Sequence, residues 1–464
     1  MGTTDDTLAP SAVPVPRLVE GTELIGRYQG SGFTEPRHLA RRGDGQVVQL
    51  SELVYLLATF VDGRRDLDGL AVAIGAEIDR RVTGEQVAFL LDNKLRPPGL
   101  VAPDPAAGPV IPAEPATSPA DAAPSPVPAP TRPDPLLMLK YRVGLVPERV
   151  VWVIAGVFRP LFPAPVVAVM LAGFAVVDAL ILAGGGLGQI PAHSVRAFSD
   201  QPALILLVLA LILVAGGFHE CGHAAACRYG GARPGVMGIG LYLVWPAFYS
   251  TVTDAYRLNR AGRLRVDLGG MYFNAISMSA IGTAYLITGS PWLLVTLVAM
   301  HVETMWQFLP SVRLDGYYIL TDLAGVPDLF SRLGPILRSA LPWRETHPRV
   351  AELKPWTRRI VTLWVALTIP CLSFWVVMFL LLAPRVLPAA WAALLWQLRA
   401  ITTAVQAAHI AAAALGAVQL VLLVLPYAGL TLIIANLGRR LYYAVRPRHA
   451  RRSATTREGH RAPA

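Results

Sequence analysis

Residues 203–227 read ALILLVLALILVAGGFHECGHAAAC, and this stretch decides the fold. No charge interrupts it before His219-Glu220-Cys221-Gly222-His223, an HExxH pattern. On a helix, positions i and i+4 differ by only about 40° around the axis. His219 and His223 therefore share one face and can hold one zinc ion. Glu220 stands beside the first of them, where a carboxylate can take a proton from an activated water. The apolar run, continued through the motif, is long enough to cross a bilayer. HExxH also arises by chance in many helices. Inside a span, however, ionisable side chains this close together need partners or a metal.

The whole chain agrees with a membrane setting. Of 464 residues, 54% are hydrophobic and 16% charged, with mean hydropathy +0.47; soluble domains carry about 25% charge. The net charge of +10 fits membrane orientation better than nucleic acid, because the basic residues cluster between apolar runs. The cysteines Cys221, Cys227 and Cys371 lie in or beside apolar runs, so no disulfide framework is implied. Cys221 is about 160° around the helix from His219 and is not counted as a ligand. The first fifteen residues include Asp5 and Asp6 and no apolar core, so no signal peptide is expected.

Outward from 203–227, the apolar runs predict six spans, at about 166–183, 203–227, 268–288, 291–309, 360–383 and 411–436. Residues 388–408 are amphipathic and read as interfacial. Orientation follows Lys and Arg. One side carries Lys140, Arg142, Arg149 and Arg159, then Arg228 to Arg265, Arg332 to Arg359 and the tail from Arg439; the other has Arg196, Arg385 and Arg399. Both termini and the HExxH end of the second span are thus expected in the cytoplasm of a multi-pass cell-membrane protein. The fourth span ends in Pro310-Ser311-Val312-Arg313-Leu314-Asp315-Gly316. Asp315 falls at the depth of the histidines and is the candidate third zinc ligand, with Gly316 allowing the backbone to turn. The third span opens with Gly269-Gly270-Met271-Tyr272-Phe273-Asn274. Its glycines permit close helix approach, and the Asn274 amide could hold a substrate carbonyl or oxyanion or make a plain interhelical hydrogen bond. His301 and Glu303 lie within the fourth span. Charge there suggests function, but a His–Glu pair holding helices together is an equal reading, and neither is counted as catalytic.

On the N-terminal side, residues 1–20 are expected to be disordered and 21–101 to form a small soluble domain. Residues 38–42 and 46–50 flank Gly43-Asp44-Gly45, a hairpin signal. Three helices should follow: one capped by Ser51, one after Asp66 with Leu70, Val72 and Ile74, and one after Thr83. Residues 102–135, rich in Pro and Ala, read as an extended linker. Residues 136–162 read as an interfacial segment, 163–440 as the six-span domain and 441–464 as a basic cytoplasmic tail. The fold class is an α-helical polytopic membrane protein with a small N-terminal α+β, winged-helix-like domain.

Two resemblances follow from these residues. HExxH in one span, a glycine-led motif with Asn274 in the next, and P-x-x-x-L-D-G at Pro310–Gly316 together look like the site-2 protease family of intramembrane zinc metalloproteases. The likeness covers residues 200–325. It implies His219, His223 and Asp315 as zinc ligands and Glu220 as general base. Residues 254–258 and 315–322 look closer to bacterial members associated with peptide maturation. There are departures: Gln307 and Leu309 stand where the family often has Asn, and Met271 where it has Pro. Val47–Ser51 and Asp62–Leu67 resemble PqqD-like peptide-recognition domains, in which a leader peptide adds to a sheet edge. A docking module is the alternative there. DNA binding is disfavoured because Arg41, Arg42, Arg64, Arg65, Arg80 and Arg81 are balanced by acids.

The expectation is an intramembrane zinc metalloendopeptidase that cuts a membrane-associated protein or precursor peptide. Its partners would be that substrate, a leader peptide on the N-terminal domain and the lipid bilayer, with no nucleic acid. The alternative is a non-proteolytic peptide-binding or export-accessory membrane protein of a ribosomal-peptide pathway.

Overall fold

A computed structural model describes residues 15–43, 46–102, 140–185, 202–242, 245–339 and 345–445. The linker expected at 102–135 and the end of the basic tail lie almost wholly outside these residues, as do the hairpin turn residues 44 and 45.

The N-terminal module is a three-stranded antiparallel sheet followed by three helices. Strands β1 (Glu23–Arg27), β2 (Arg37–Arg41) and β3 (Val47–Ser51) lie in sequence order. Helix α1 (Glu52–Phe60) packs on the sheet, and α2 (Leu67–Ile78), which packs on α1, and α3 (Gly84–Leu90), which packs on α2, follow it. Asp66 caps α2 by accepting from the Gly69 N–H at 2.8 Å, and Thr83 and Gln86 form a reciprocal capping box on α3. Ser51 stands at the N-cap of α1, but its side chain makes no capping hydrogen bond. Leu50, Leu57, Leu70, Ile74, Val87 and Leu91 form the core. Val72 is 75% exposed, since two residues along a helix from Leu70 is nearly the opposite face. Arg17 and Leu18 fall within the stretch read as disordered. They bridge to Asp62 and Val101, and Leu18 packs on the core.

Beyond the linker, β4 (Lys140–Val146) pairs antiparallel with β5 (Met237–Tyr242), which pairs with β6 (Trp245–Ser250). Helix α4 (Glu148–Phe158) buries Val151 and Ala155 and exposes Val150, Val153 and Val157. The long helices are α5 (Ala164–Ala183), α6 (Pro202–Tyr229), α7 (Arg260–Thr288) and α8 (Pro291–Gln307). The short α9 (Asp315–Ala324) precedes α10 (Pro355–Gln406) and α11 (Ile410–Val445). Among the described residues, four helices are long and apolar enough to cross a membrane: Ala164–Ala183, Leu204–Tyr229, Pro355–Met378 and Ile410–Gly429. The expected third and fourth spans form the α7–α8 hairpin, turning at Gly289 with φ +62°. They fall outside those four, because α7 carries Asn274, Ser277, Ser279 and Thr283 and α8 is only 17 residues long. Helix α10 runs unbroken for 52 residues through Pro370, Pro384 and Pro388; the stretch read as a separate interfacial element continues it.

The module sits directly on this helical part. The Gly32 N–H donates to the Gly325 carbonyl at 2.9 Å, Lys354 N–H to Gly32 O at 2.9 Å, and Thr34 N–H to Glu352 O at 2.8 Å. Phe33 is buried with Tyr317, Val326, Leu329 and Leu353. Gly32 and Gly325 are required there, because a Cβ on either would collide with the backbone of the opposing segment.

Candidate metal centre

Helices α6 and α7 meet backbone to backbone. A Cβ on Gly269 would lie 2.6 Å from the Gly222 carbonyl oxygen, and one on Gly222 would strike Gly269 in turn. Glycine at both positions therefore allows the HExxH turn to lie against the start of the third expected span. Phe218, Phe273, Phe158 and Phe162 pack around this crossing, with Phe218 and Phe273 ring centres 4.5 Å apart. Cys221 and Cys227 belong to the same apolar cluster, and all three cysteines are free thiols.

The crossing positions both imidazoles. His223 Nδ1 lies 2.7 Å from the Val266 carbonyl oxygen, which can only accept. That contact is met by a proton on Nδ1, and Nε2 turns toward His219 and Asp315. His219 Nδ1 lies 3.2 Å from Asn274 Oδ1. The two Nε2 atoms are 3.0 Å apart. Asp315, the first residue of α9, brings Oδ2 to 3.0 Å from His219 Nε2 and 3.6 Å from His223 Nε2. The three ligand atoms all lie within 4.8 Å of one another.

This set fits a divalent cation. Asp315 Oδ2 is buried and faces only the ring nitrogens of the two histidines, and three such acceptors turned toward one another are costly unless a cation or proton lies between them. Two imidazole nitrogens and a carboxylate oxygen are a donor set suited to zinc, with a fourth position left for water or substrate. Gly270 roofs the site: a Cβ there would overlap Nε2 of both histidines. Glu220 is half-buried one residue beyond His219.

The loop before Asp315 is held from three sides. Arg313 N–H donates to the Tyr242 hydroxyl at 2.7 Å, the Arg313 guanidinium pairs with Asp328 at 3.2 Å, and Trp364 Nε1–H donates to Pro310 O at 2.7 Å. The glycine at 316 serves close packing, not a turn of unusual φ, since its added Cβ would collide with the Phe308 backbone.

The structure bears on two sequence readings. Asn274 Nδ2 donates to Thr304 Oγ1 at 3.0 Å and Gln307 Oε1 at 3.1 Å. These are interhelical hydrogen bonds, one of the two readings the sequence allowed, and Asn274 Oδ1 faces His219 Nδ1. His301 and Glu303 do not pair, because residues two apart on a helix point in nearly opposite directions. His301 Nε2 meets Asp178 Oδ2 on α5 at 3.0 Å, while Glu303 Oε1 faces Gln307 Nε2 at 3.5 Å. Asp178 is a carboxylate inside an apolar run, a signal the sequence carried. Val266 left no such signal, because its backbone carbonyl is what matters.

Comparison with known proteins points the same way over a limited length. The chain is 29% identical over 104 residues to the Bacillus subtilis (strain 168) protein "Putative peptide zinc metalloprotease protein YydH". The match covers 22% of this chain and 41% of that protein. No family profile matches the chain, and no solved structure does.

Proposed function

We propose that the chain is an intramembrane zinc metalloendopeptidase that hydrolyses a peptide bond in a membrane-associated protein or precursor peptide. The observation that carries this reading is the convergence of His219 Nε2, His223 Nε2 and the buried Asp315 Oδ2 beneath Gly270. The likeness to a protein named as a peptide zinc metalloprotease supports it.

His219, His223 and Asp315 would hold the zinc. When bound, zinc supplies Lewis acidity to the scissile carbonyl and to water. Glu220 accepts the proton of the attacking water on its carboxylate as oxygen bonds to the carbonyl carbon. It then gives that proton to the departing amine nitrogen as the C–N bond breaks. The apolar packing of α6, α7 and α8 limits competing water. In this reading the α7–α8 hairpin lies within the bilayer with the four apolar helices, and both termini face the cytoplasm. The N-terminal module, PqqD-like, takes a leader peptide along an edge of its sheet, of which β3 is one.

The test is metal content together with cleavage. Purified protein should carry one zinc. His223→Ala and Asp315→Ala should lose it, whereas Glu220→Gln should keep zinc and lose cleavage by at least about 10²–10⁴-fold. Unchanged zinc in either ligand variant sinks the assignment. Full function of Glu220→Gln in a cell that scores the mature product would make the chain a binding protein instead.

A further inference from the structure

The loop joining β1 to β2, residues 28–34, reaches out of the N-terminal module into the core beside α9. Phe33 is buried there among Tyr317, Val326, Leu329, Leu353 and Trp364. The Arg37 and Arg332 guanidinium groups lie 4.9 Å and 5.2 Å from the centre of its ring. Phe33 bridges antiparallel to Leu353, and Lys354 Nζ donates to Ser31 O at 2.9 Å. The end of α9 is completed from outside the helix. Ala324 O accepts from Thr357 Oγ1 at 3.3 Å, and Gly325 O, at the left-handed C-cap, accepts from the Gly32 N–H at 2.9 Å. The same loop meets α7, where Arg260 donates to Gly30 O at 2.7 Å and Arg263 to Gln29 O at 3.0 Å.

We infer that residues 28–34 are a positioning element of the metal centre, with Gly32 and Phe33 holding α9, and hence Asp315, against the two histidines. The inference rests on the zinc reading only for its effect on affinity. His219 and His223 share one helix, so their spacing is set locally. Asp315 comes from a separate helix, and the members of a ligand set must be held to within about 0.5 Å. Helix α9 is ten residues long, too short to keep its form or place without packing. Asp315 is its first residue, and Tyr317, two residues on, lies in the cluster that Phe33 completes. Some supports of α9 belong to the helical part itself, among them Arg263 on Asp322 at 2.8 Å and the Phe330 ring stacked on Tyr317 at 5.1 Å. Gly32 and Phe33 come from the module instead.

That origin makes the metal centre conditional on docking. Residues 103–139 join the module to β4, and a segment that long does not dictate where the module rests. The non-covalent contacts of residues 28–34 do. A docked module fills the cluster under Tyr317 and caps Gly325; a module that leaves takes both supports with it. Docking and metal affinity are then linked, and whatever strengthens one strengthens the other by the same factor.

The experiment uses full-length protein in lipid vesicles. Zinc affinity is read by competition with a chromogenic chelator, and the hold on α9 by hydrogen exchange of its amides in metal-free protein. Gly32→Ala places a methyl 2.1 Å from Ala324 O and should lift the loop. Phe33→Ala empties the ring's place in the cluster. Each should speed exchange across residues 316–324 and weaken zinc binding by about 10–100-fold. Phe33→Leu refills most of the volume and should return both readings toward wild type. His301→Leu breaks the contact to α5 and should change neither, which separates positioning from a general loss of stability. Gly32→Ala changes one loop methyl and keeps the test available should Phe33→Ala fail to fold. Unchanged exchange of α9 in both Gly32→Ala and Phe33→Ala overturns the inference, even if zinc affinity falls. So does an α9 that loosens while zinc affinity stays at that of a zinc-binding wild type. Wild type that binds no zinc, with α9 still loosened by these variants, overturns the zinc reading and leaves the positioning of α9 standing.

Discussion

Arg263 Nε donates to Asp322 Oδ1 at 2.8 Å, and Arg263 is only 1% exposed. The same guanidinium donates to Gln29 O at 3.0 Å and Leu258 O at 2.9 Å and lies 4.5 Å from the centre of the Tyr28 ring. Asp322 is about two turns from Asp315 on α9. The pair therefore ties the N-terminal module to both the helix of Asn274 and the helix of a candidate ligand.

Removing one partner of this pair should strand the other in the interior. Asp322→Asn or Arg263→Met is expected to lower stability by about 3–5 kcal/mol. Denaturant melts in detergent measure it. A loss below about 1 kcal/mol in both variants would mean that the pair does not hold the module in place.

Gly270→Ala should all but abolish zinc binding, since the added methyl would occupy the space between the two histidine Nε2 atoms. Gly217, two residues before His219 on α6, has nothing within 4 Å of an added Cβ, so Gly217→Ala should bind zinc normally. Metal analysis of the two proteins side by side checks this. Equal zinc in both contradicts the placement of the cation beneath Gly270.

The His301–Asp178 contact joins α8 to α5, with Phe174 stacked on the imidazole at 5.8 Å. Replacing either residue alone by Leu should leave a polar group without its partner in apolar surroundings, at a cost of about 1–3 kcal/mol. Replacing both should recover most of that loss. A double-mutant cycle on thermal stability reads the coupling. Strict additivity would show that the two residues do not act as a pair.

Glu23 on β1 pairs with Arg257 and, at 2.6 Å, with Arg41, and Arg41 and Arg257 both reach Asp254. The hydrogen bond from Arg257, with the positive charges of Arg257 and Arg41, holds the Glu23 carboxyl below the ordinary glutamate range against the opposing effect of burial. A depressed folded-state value means the contact contributes fully above the ordinary glutamate pKa of about 4.3 and is lost as pH falls below it. Because these side chains are partly exposed, the contribution is under about 1 kcal/mol. Protein with Glu23→Gln should show a shallower loss of melting temperature between pH 5 and pH 3 than wild type, each pH taken as approximate. Parallel profiles would remove Glu23 from the docking contacts.

The sequence alone determined which residues could do chemistry. HExxH fixes its own geometry, because 3.6 residues per turn puts His219 and His223 on one face whatever surrounds them. Gly269 and Gly270 marked where backbones approach, and Asp315 stood out as a carboxylate at the end of an apolar run. The β2–β3 hairpin and the three helices after it were legible for the same reason: caps at Asp66 and Thr83 and the spacing of Leu70 and Ile74 are local signals, whereas β1 was not read as a strand. Its rest against α9 and the segment 352–354 was not, because those contacts are made mainly by backbone groups of residues 32–34 that any sequence possesses.

Tertiary structure decided the partners. Asn274 could have faced substrate, and only the α6–α7 crossing turns it to His219. His301 points away from Glu303 on its own helix, and only the approach of α5 to α8 brings Asp178 to it. Local periodicity states which way a side chain leaves its own helix. What it then meets depends on distances between elements far apart in the chain, and those follow from how the glycine-lined faces close on one another.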